Sequence, residues 1–217
     1  MALTLVIGSK NYSSWSLRPW LALAHHQIPF DEILIPLDQP DSKTRILEHS
    51  PAGKVPILID GGTKVWESLA ILEHLAERFP DAKLWPKEPA ARAHARAISA
   101  EMHAGFSALR CHCPMNLRRR KARTPTPEVE ADVKRVTEIW RDARARFGNG
   151  GEFLFGAFSA ADCMYAPVAA RFRGYEIEVD PVAAAYVEAI HALPAFRRWH
   201  EAALKEPWRH SVTDAVE

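Results

Sequence analysis

The chain has 217 residues, 47% of them hydrophobic and 25% charged, with a formal net charge of +1. That length holds one large domain or two modest ones, and the balance is ordinary for a globular protein. A net charge so near zero excludes an overall field that would gather nucleic acid or an anionic membrane surface.

The first apolar run, Leu3 to Ile7, is too short for the core of a signal peptide, and no stretch approaches a membrane span. The expectation is a cytoplasmic protein with neither nucleic acid nor membrane as a partner. The cysteines, Cys111, Cys113 and Cys163, are an odd and sparse set that makes no disulfide framework. Cys111-His112-Cys113 would crowd ligands around a tetrahedral centre, and no second Cys/His pair exists to complete it, so no metal is expected.

In chain order, Leu3 to Ile7 reads as a buried strand and Leu17 to His26 as a short helix. Ile33 to Ile35 is a second strand, and residues 42 to 49 make a helical turn. Val55 to Ile59 and Lys64 to Trp66 are strands joined by Asp60-Gly61-Gly62, a hairpin signal because glycine accepts positive φ without steric cost. Ser68 to Phe79 is amphipathic, with Leu69, Leu72, Leu75, Ala76 and Phe79 on one face. A crossover unit, a hairpin and a covering helix predict a small mixed sheet.

Pro80 to Pro89 is proline-rich and polar and reads as a linker. Beyond it the pattern is all helix: Ala90 to Arg110, Glu128 to Phe147 after the break at Thr124-Pro125-Thr126-Pro127, Ser159 to Phe172, Pro181 to His191, and Pro194 to Lys205. Ser159 with Asp162 three residues on makes a capping box. The basic run Arg118 to Arg123 lacks interleaved aromatics and reads as a solvated helix end. The predicted domains are 1–80, a linker 81–89, and an all-helical 90–217.

Three places carry candidate chemistry. Val55-Pro56 stands at a strand mouth, where a cis bond would present Val55 to an extended peptide, although a trans edge proline fits the residues as well. Glu67-Ser68 stands where a helix begins. Free N–H groups there suit a carboxylate and Glu67 suits an amino group, while a plain helix cap is the competing reading. Tyr12-Ser13-Ser14-Trp15-Ser16 precedes the first helix, where a hydroxyl near the positive helix end either caps it or holds a thiolate. Pro19 fits best if Ser16 is the cap, which leaves proline within the first turn. No G-x-S-x-G, G-x-G-x-x-G or P-loop is present.

These residues together resemble the cytosolic glutathione transferase family. His49-Ser50-Pro51-Ala52-Gly53-Lys54-Val55-Pro56-Ile57-Leu58 is similar to its Asn-Pro-x-x-x-Val-Pro-x-Leu segment, and Glu67-Ser68-Leu69-Ala70-Ile71 to its Glu/Gln-Ser-x-Ala-Ile motif. Ser159-Ala160-Ala161-Asp162 and Leu193-Pro194 to Trp199 resemble motifs of its second domain. Ser13-Ser14-Trp15-Ser16-Leu17-Arg18 is similar to the serine-bearing, zeta-like branch, which reads Ser-Ser-Cys-Ser-x-Arg; Trp15 departs from it.

The resemblance implies a thioredoxin-like N-terminal domain followed by an all-helical one, and glutathione as co-substrate. It implies a cis bond before Pro56, Val55 pairing with glutathione's cysteinyl backbone, Glu67 and Ser68 on the γ-glutamyl end, and Lys54 on the glycyl carboxylate. Ser13 becomes the catalytic thiolate donor, with Ser14 its rival and neighbour in the glutathione site, and Tyr12 a weaker candidate. Met102, Phe106 and Arg110 share a helix face and are the tentative second-substrate wall, core packing being the competing reading for the first two. The implied activity is conjugation of glutathione to a small apolar electrophile, as in detoxification. The alternatives are a maleylacetoacetate isomerase-like reaction or a non-enzymatic binding module. A homodimer is implied, with Trp66 and Trp85 near its contact.

Overall fold

The computed structural model describes residues 3–216. The strands are β1 (Leu3–Gly8), β2 (Phe30–Ile35), β3 (Ile57–Asp60) and β4 (Thr63–Trp66), in the order β2-β1-β3-β4. β1 runs parallel to β2 with Leu3 opposite Phe30, and antiparallel to β3 with Leu3 opposite Asp60. Parallel neighbours need a crossover, and α1 (Ser14–His25) supplies it. α2 (Ser42–Leu47) follows β2, and α3 (Ser68–Arg78) covers the sheet after the hairpin. This is the expected thioredoxin-like arrangement. Leu5 and Ile7 are fully buried in the larger core cluster with Leu17, Leu21, Leu72 and Leu75, each contributing about 1.5–3 kcal/mol.

The helical half comprises α4 (Pro89–Ala104), α5 (Ser107–His112), α6 (Pro127–Phe147), α7 (Ala160–Gly174), α8 (Pro181–Ala192), α9 (Pro194–Lys205) and α10 (Ser211–Asp214). Every residue of α7 except Arg173 is buried, so α7 is the central helix of this half and packs on α1 and α4. Its capping box is formed: the Ser159 N–H and hydroxyl both donate to Asp162 Oδ2 at 2.8 Å. Burial holds the Asp162 carboxyl up at about 6, against the hydrogen bonds from Leu154, Ser159 and Tyr186.

Several expectations are corrected. α1 starts at Ser14, not Leu17, and its cap is Ser13 rather than Ser16: the Ser16 N–H donates to Ser13 Oγ at 3.3 Å. Pro19 therefore lies inside the helix rather than in its first turn. The helix expected over 90–110 is two helices. Gly105 ends α4 and Phe106 adopts the left-handed conformation, φ 58°, which no helix interior accommodates. In α3 the cap is Glu67, and Ser68 is the first helical residue.

The basic run lies outside any helix, and only part of it is solvated: Arg120 and Lys121 are exposed, whereas Arg118, Arg119 and Arg123 are half-buried. Arg118 donates to the carbonyls of Ala203, Glu206 and Trp208, Arg119 to that of Val216, and Arg120 to that of Arg173. Arg118 and Arg119 fasten the C-terminal segment to the body of the protein, while Arg120 reaches the end of α7.

Candidate functional site

The loop before α1 is held from the far end of the chain. The Glu206 carboxylate accepts from the Lys10 N–H at 2.7 Å and the Asn11 N–H at 3.1 Å, and the Trp199 indole N–H donates to the Lys10 carbonyl at 3.0 Å. The Tyr12 hydroxyl is turned onto Asp214 at 2.9 Å, which commits it elsewhere as a donor. Ser9 is fixed as well: its Oγ accepts from the Leu37 N–H at 3.0 Å, tying the loop to the segment after β2.

A crevice of about 200 Å³ opens beside this loop, lined by Trp15, Ala52, Lys54, Val55, Pro56, Trp66, Glu67 and Ser68. The Val55–Pro56 peptide is cis, as the resemblance implies. Val55 precedes β3 and lies outside its ladder. Glu67 has φ 67° and ψ 121°, a backbone conformation that L-residues adopt rarely and at a cost of about 1–3 kcal/mol. Its exposed carboxylate lies 3.3 Å from His103 Nε2. Burial, and then Arg18, lower the His103 pKa and so disfavour the protonated ring, while Glu67 opposes them. Ser68 is fully buried at the start of α3, where N–H groups lack helical partners.

Lys54, Val55, Glu67 and Ser68 are thus brought together, whereas Ser13 and Ser14 do not line the crevice but stand just before Trp15. Ser13 Oγ donates to Ser16 Oγ at 2.7 Å, and Ser16 Oγ also accepts from the Gly8 N–H at 3.1 Å. Ser14 Oγ accepts from Arg171 at 3.3 Å and faces α7. Met102 and Phe106 are buried members of the core and do not line the crevice. Arg110 is half-buried, stacks 5.4 Å from the Trp15 ring and donates to the His103 carbonyl at 3.1 Å. Trp66 is 46% exposed, while Trp85 is buried with its N–H on Glu73 at 3.1 Å.

Trp15, Ser16 and Arg18 stand in the motif quoted above but were given no binding role there, and Arg171 was not singled out at all. Arg18 stacks 4.2 Å from Trp15 and donates to Ser68 Oγ at 3.2 Å. The signal was there: an arginine between Leu17 and the apolar run Trp20 to Leu23, on a helix with little exposed surface. Two wider grooves, of about 820 and 760 Å³, contain none of the candidate glutathione or second-substrate residues; Trp85 and its neighbours in the linker line the first, and the second lies on the helical half. Among the described residues no cluster of three His, Cys, Asp or Glu side chains is arranged to hold a metal ion, and no helix is long and apolar enough to cross a membrane.

Residues 12–78 match the family model of the glutathione S-transferase N-terminal domain, and residues 126–202 that of the C-terminal domain. The chain belongs to the glutathione transferase family. This transferase is 41% identical over 97 residues to a probable maleylacetoacetate isomerase of Caenorhabditis elegans, a match that spans 45% of each chain. A maleylacetoacetate isomerase of Rattus norvegicus is 27% identical over 203 residues, 90% of the transferase and 91% of the relative. A crystal structure of a glutathione transferase homolog from Burkholderia, with bound glutathione, shares the fold: TM-score 0.70 and 20% identity over 94% of this chain and 98% of that one.

Proposed function

We propose that this chain binds glutathione in the crevice beside α1 and adds its thiolate to a small apolar electrophile. The observation that carries the reading is the convergence of Lys54, Val55, Glu67 and Ser68 on one crevice at the N-terminal ends of α1 and α3. An extended tripeptide pairs with the unladdered backbone at Val55. Its γ-glutamyl ammonium meets Glu67, its γ-glutamyl carboxylate meets Ser68 and the first N–H groups of α3, and its glycyl carboxylate meets Lys54.

Ser13 is the proposed thiolate donor. Two hydroxyls 2.7 Å apart share one bond in either sense. With Ser16 donating to Ser13, the Ser13 proton turns outward to a thiolate that the positive end of α1 also favours. Ser14 remains the rival in this role. Its oxygen accepts from Arg171, leaving its proton free.

A second reading is glutathione-dependent cis-trans isomerisation. It is favoured by the 41% identity to a probable maleylacetoacetate isomerase, together with the Ser-Ser-x-Ser-x-Arg run. Homodimerisation through the face bearing the exposed Trp66, a cytoplasmic location and a role in detoxification belong to this proposal. Retention on a glutathione column, followed by turnover of a chloro-aromatic electrophile, tests it. Retention without turnover favours the isomerase. Failure to bind glutathione removes both readings and leaves a binding or assembly module.

A further inference from the structure

Arg18 is 1% exposed, yet no carboxylate pairs with it among the described residues. One guanidinium N–H donates to Ser68 Oγ at 3.2 Å, the plane lies against Trp15, and Nε has no partner. The charged and titratable groups around it come from four directions. Arg171 on α7 and Arg110 on α5 repel it, while Glu67 ahead of α3 and Tyr165 on α7 favour its charge. Burial and Arg18 itself shift His103 on α4 away from its charged form. Burial first, then the two arginines, pull the Arg18 pKa down to about 9, so it stays cationic at neutral pH. A buried cation left unpaired in this way is costly, which is why such groups ordinarily have a counter-ion.

We infer that Arg18 is a positioning residue whose counter-ion arrives with the ligand: the α-carboxylate at the γ-glutamyl end of glutathione, reached through Ser68. This rests on the glutathione reading above. A serine hydroxyl has one proton and two acceptor sites. Because Arg18 occupies an acceptor site of Ser68, the Ser68 proton is left to donate to the carboxylate, and the nearby guanidinium charge strengthens that bond. Glu67 stands one residue before Ser68 with its carboxylate exposed. The pair reads a zwitterionic head in one orientation, ammonium to Glu67 and carboxylate to Ser68–Arg18, and disfavours the reverse.

The test compares glutathione with 4-aminobutyryl-cysteinyl-glycine, which keeps the ammonium and lacks the α-carboxylate, by calorimetric titration of wild type, Arg18→Met and Arg18→Lys. Wild type is expected to bind glutathione about tenfold or more tighter than the analogue. Arg18→Met is expected to lose about tenfold for glutathione and less than about twofold for the analogue, with Arg18→Lys recovering part of the loss. Equal binding of the two ligands by wild type, or equal losses for both in Arg18→Met, overturns the role. Should Arg18→Met not fold, the side-chain Nε–H resonance of Arg18 in nitrogen-labelled wild type decides. It shifts on glutathione binding and not on analogue binding if the role holds, and responds equally to both if it does not. Wild type that binds neither ligand removes the glutathione reading itself, and this role with it.

Discussion

Ser13 Oγ and Ser16 Oγ lie 2.7 Å apart, and the same Ser13 oxygen accepts the Ser16 backbone N–H at 3.3 Å. Ser13 is therefore both the helix cap of α1 and the proposed thiolate donor, and its two roles need separating. Glycine at a cap costs only a few tenths of a kcal/mol, whereas alanine costs about 1. Ser13→Gly should keep the fold near wild-type stability and lower turnover by more than about tenfold, the worth of one charge-assisted hydrogen bond. Steady-state kinetics with a melting curve on the same sample checks this. Turnover preserved in Ser13→Gly and lost in Ser14→Ala moves the role by one residue.

Glu67→Gln should weaken glutathione binding by about ten- to a hundredfold, because a charged hydrogen bond to the ammonium becomes a neutral one. Lys54 is exposed, so Lys54→Ala should cost no more than about fivefold, and that loss should shrink as salt is added. Titration calorimetry at low and high salt measures both. An equal, salt-independent loss in the two variants would contradict their assigned partners.

Met102 is fully buried in the core. Met102→Ala should therefore lower stability by about 2–5 kcal/mol and leave the KM for the second substrate unchanged where the variant is folded. A large KM change without a loss of stability would restore it to the substrate wall.

The fold was legible where local chemistry and tertiary packing agree. Asp60-Gly61-Gly62 joins β3 to β4 as its glycines require, and Ser159 with Asp162 makes the capping box its spacing announces. Lys54, Val55, Glu67 and Ser68 are close in sequence, so their meeting needed only a hairpin and a helix start. The remainder depends on partners distant in the chain. Arg18 meets Ser68 across 50 residues and Arg171 meets Ser14 across 157, which no spacing pattern encodes. Arg118 and Arg119 looked as solvated as Arg120 and Lys121 because the carbonyls they hold come from the chain's end. The break at Gly105-Phe106 was hidden because apolar residues continue at helical steps through it.

Asp162 sets a pH dependence of stability. Burial raises its carboxyl from 3.8 to about 6 in the folded protein, so the folded state holds the proton more tightly than the unfolded chain. Its stabilising contribution is complete below pH 3.8 and is lost as pH rises through about 6, a change of about 3 kcal/mol. Asp162→Asn should be less stable throughout, since an amide nitrogen cannot accept the bonds one carboxylate oxygen now takes. The wild-type decline between those pH values should be missing from it. Denaturant melts of both proteins across that range provide the difference; parallel curves would contradict the buried, raised carboxyl.

The most direct measurement is the ultraviolet thiolate band of glutathione mixed with the protein, followed as pH is varied. A free cysteine thiol ionises near about 8.5. The account predicts a saturable thiolate signal already present at pH 7 that is lost in Ser13→Gly while glutathione still binds. Bound glutathione whose thiol stays neutral until about pH 8.5, or a signal indifferent to Ser13 and Ser14, would contradict it.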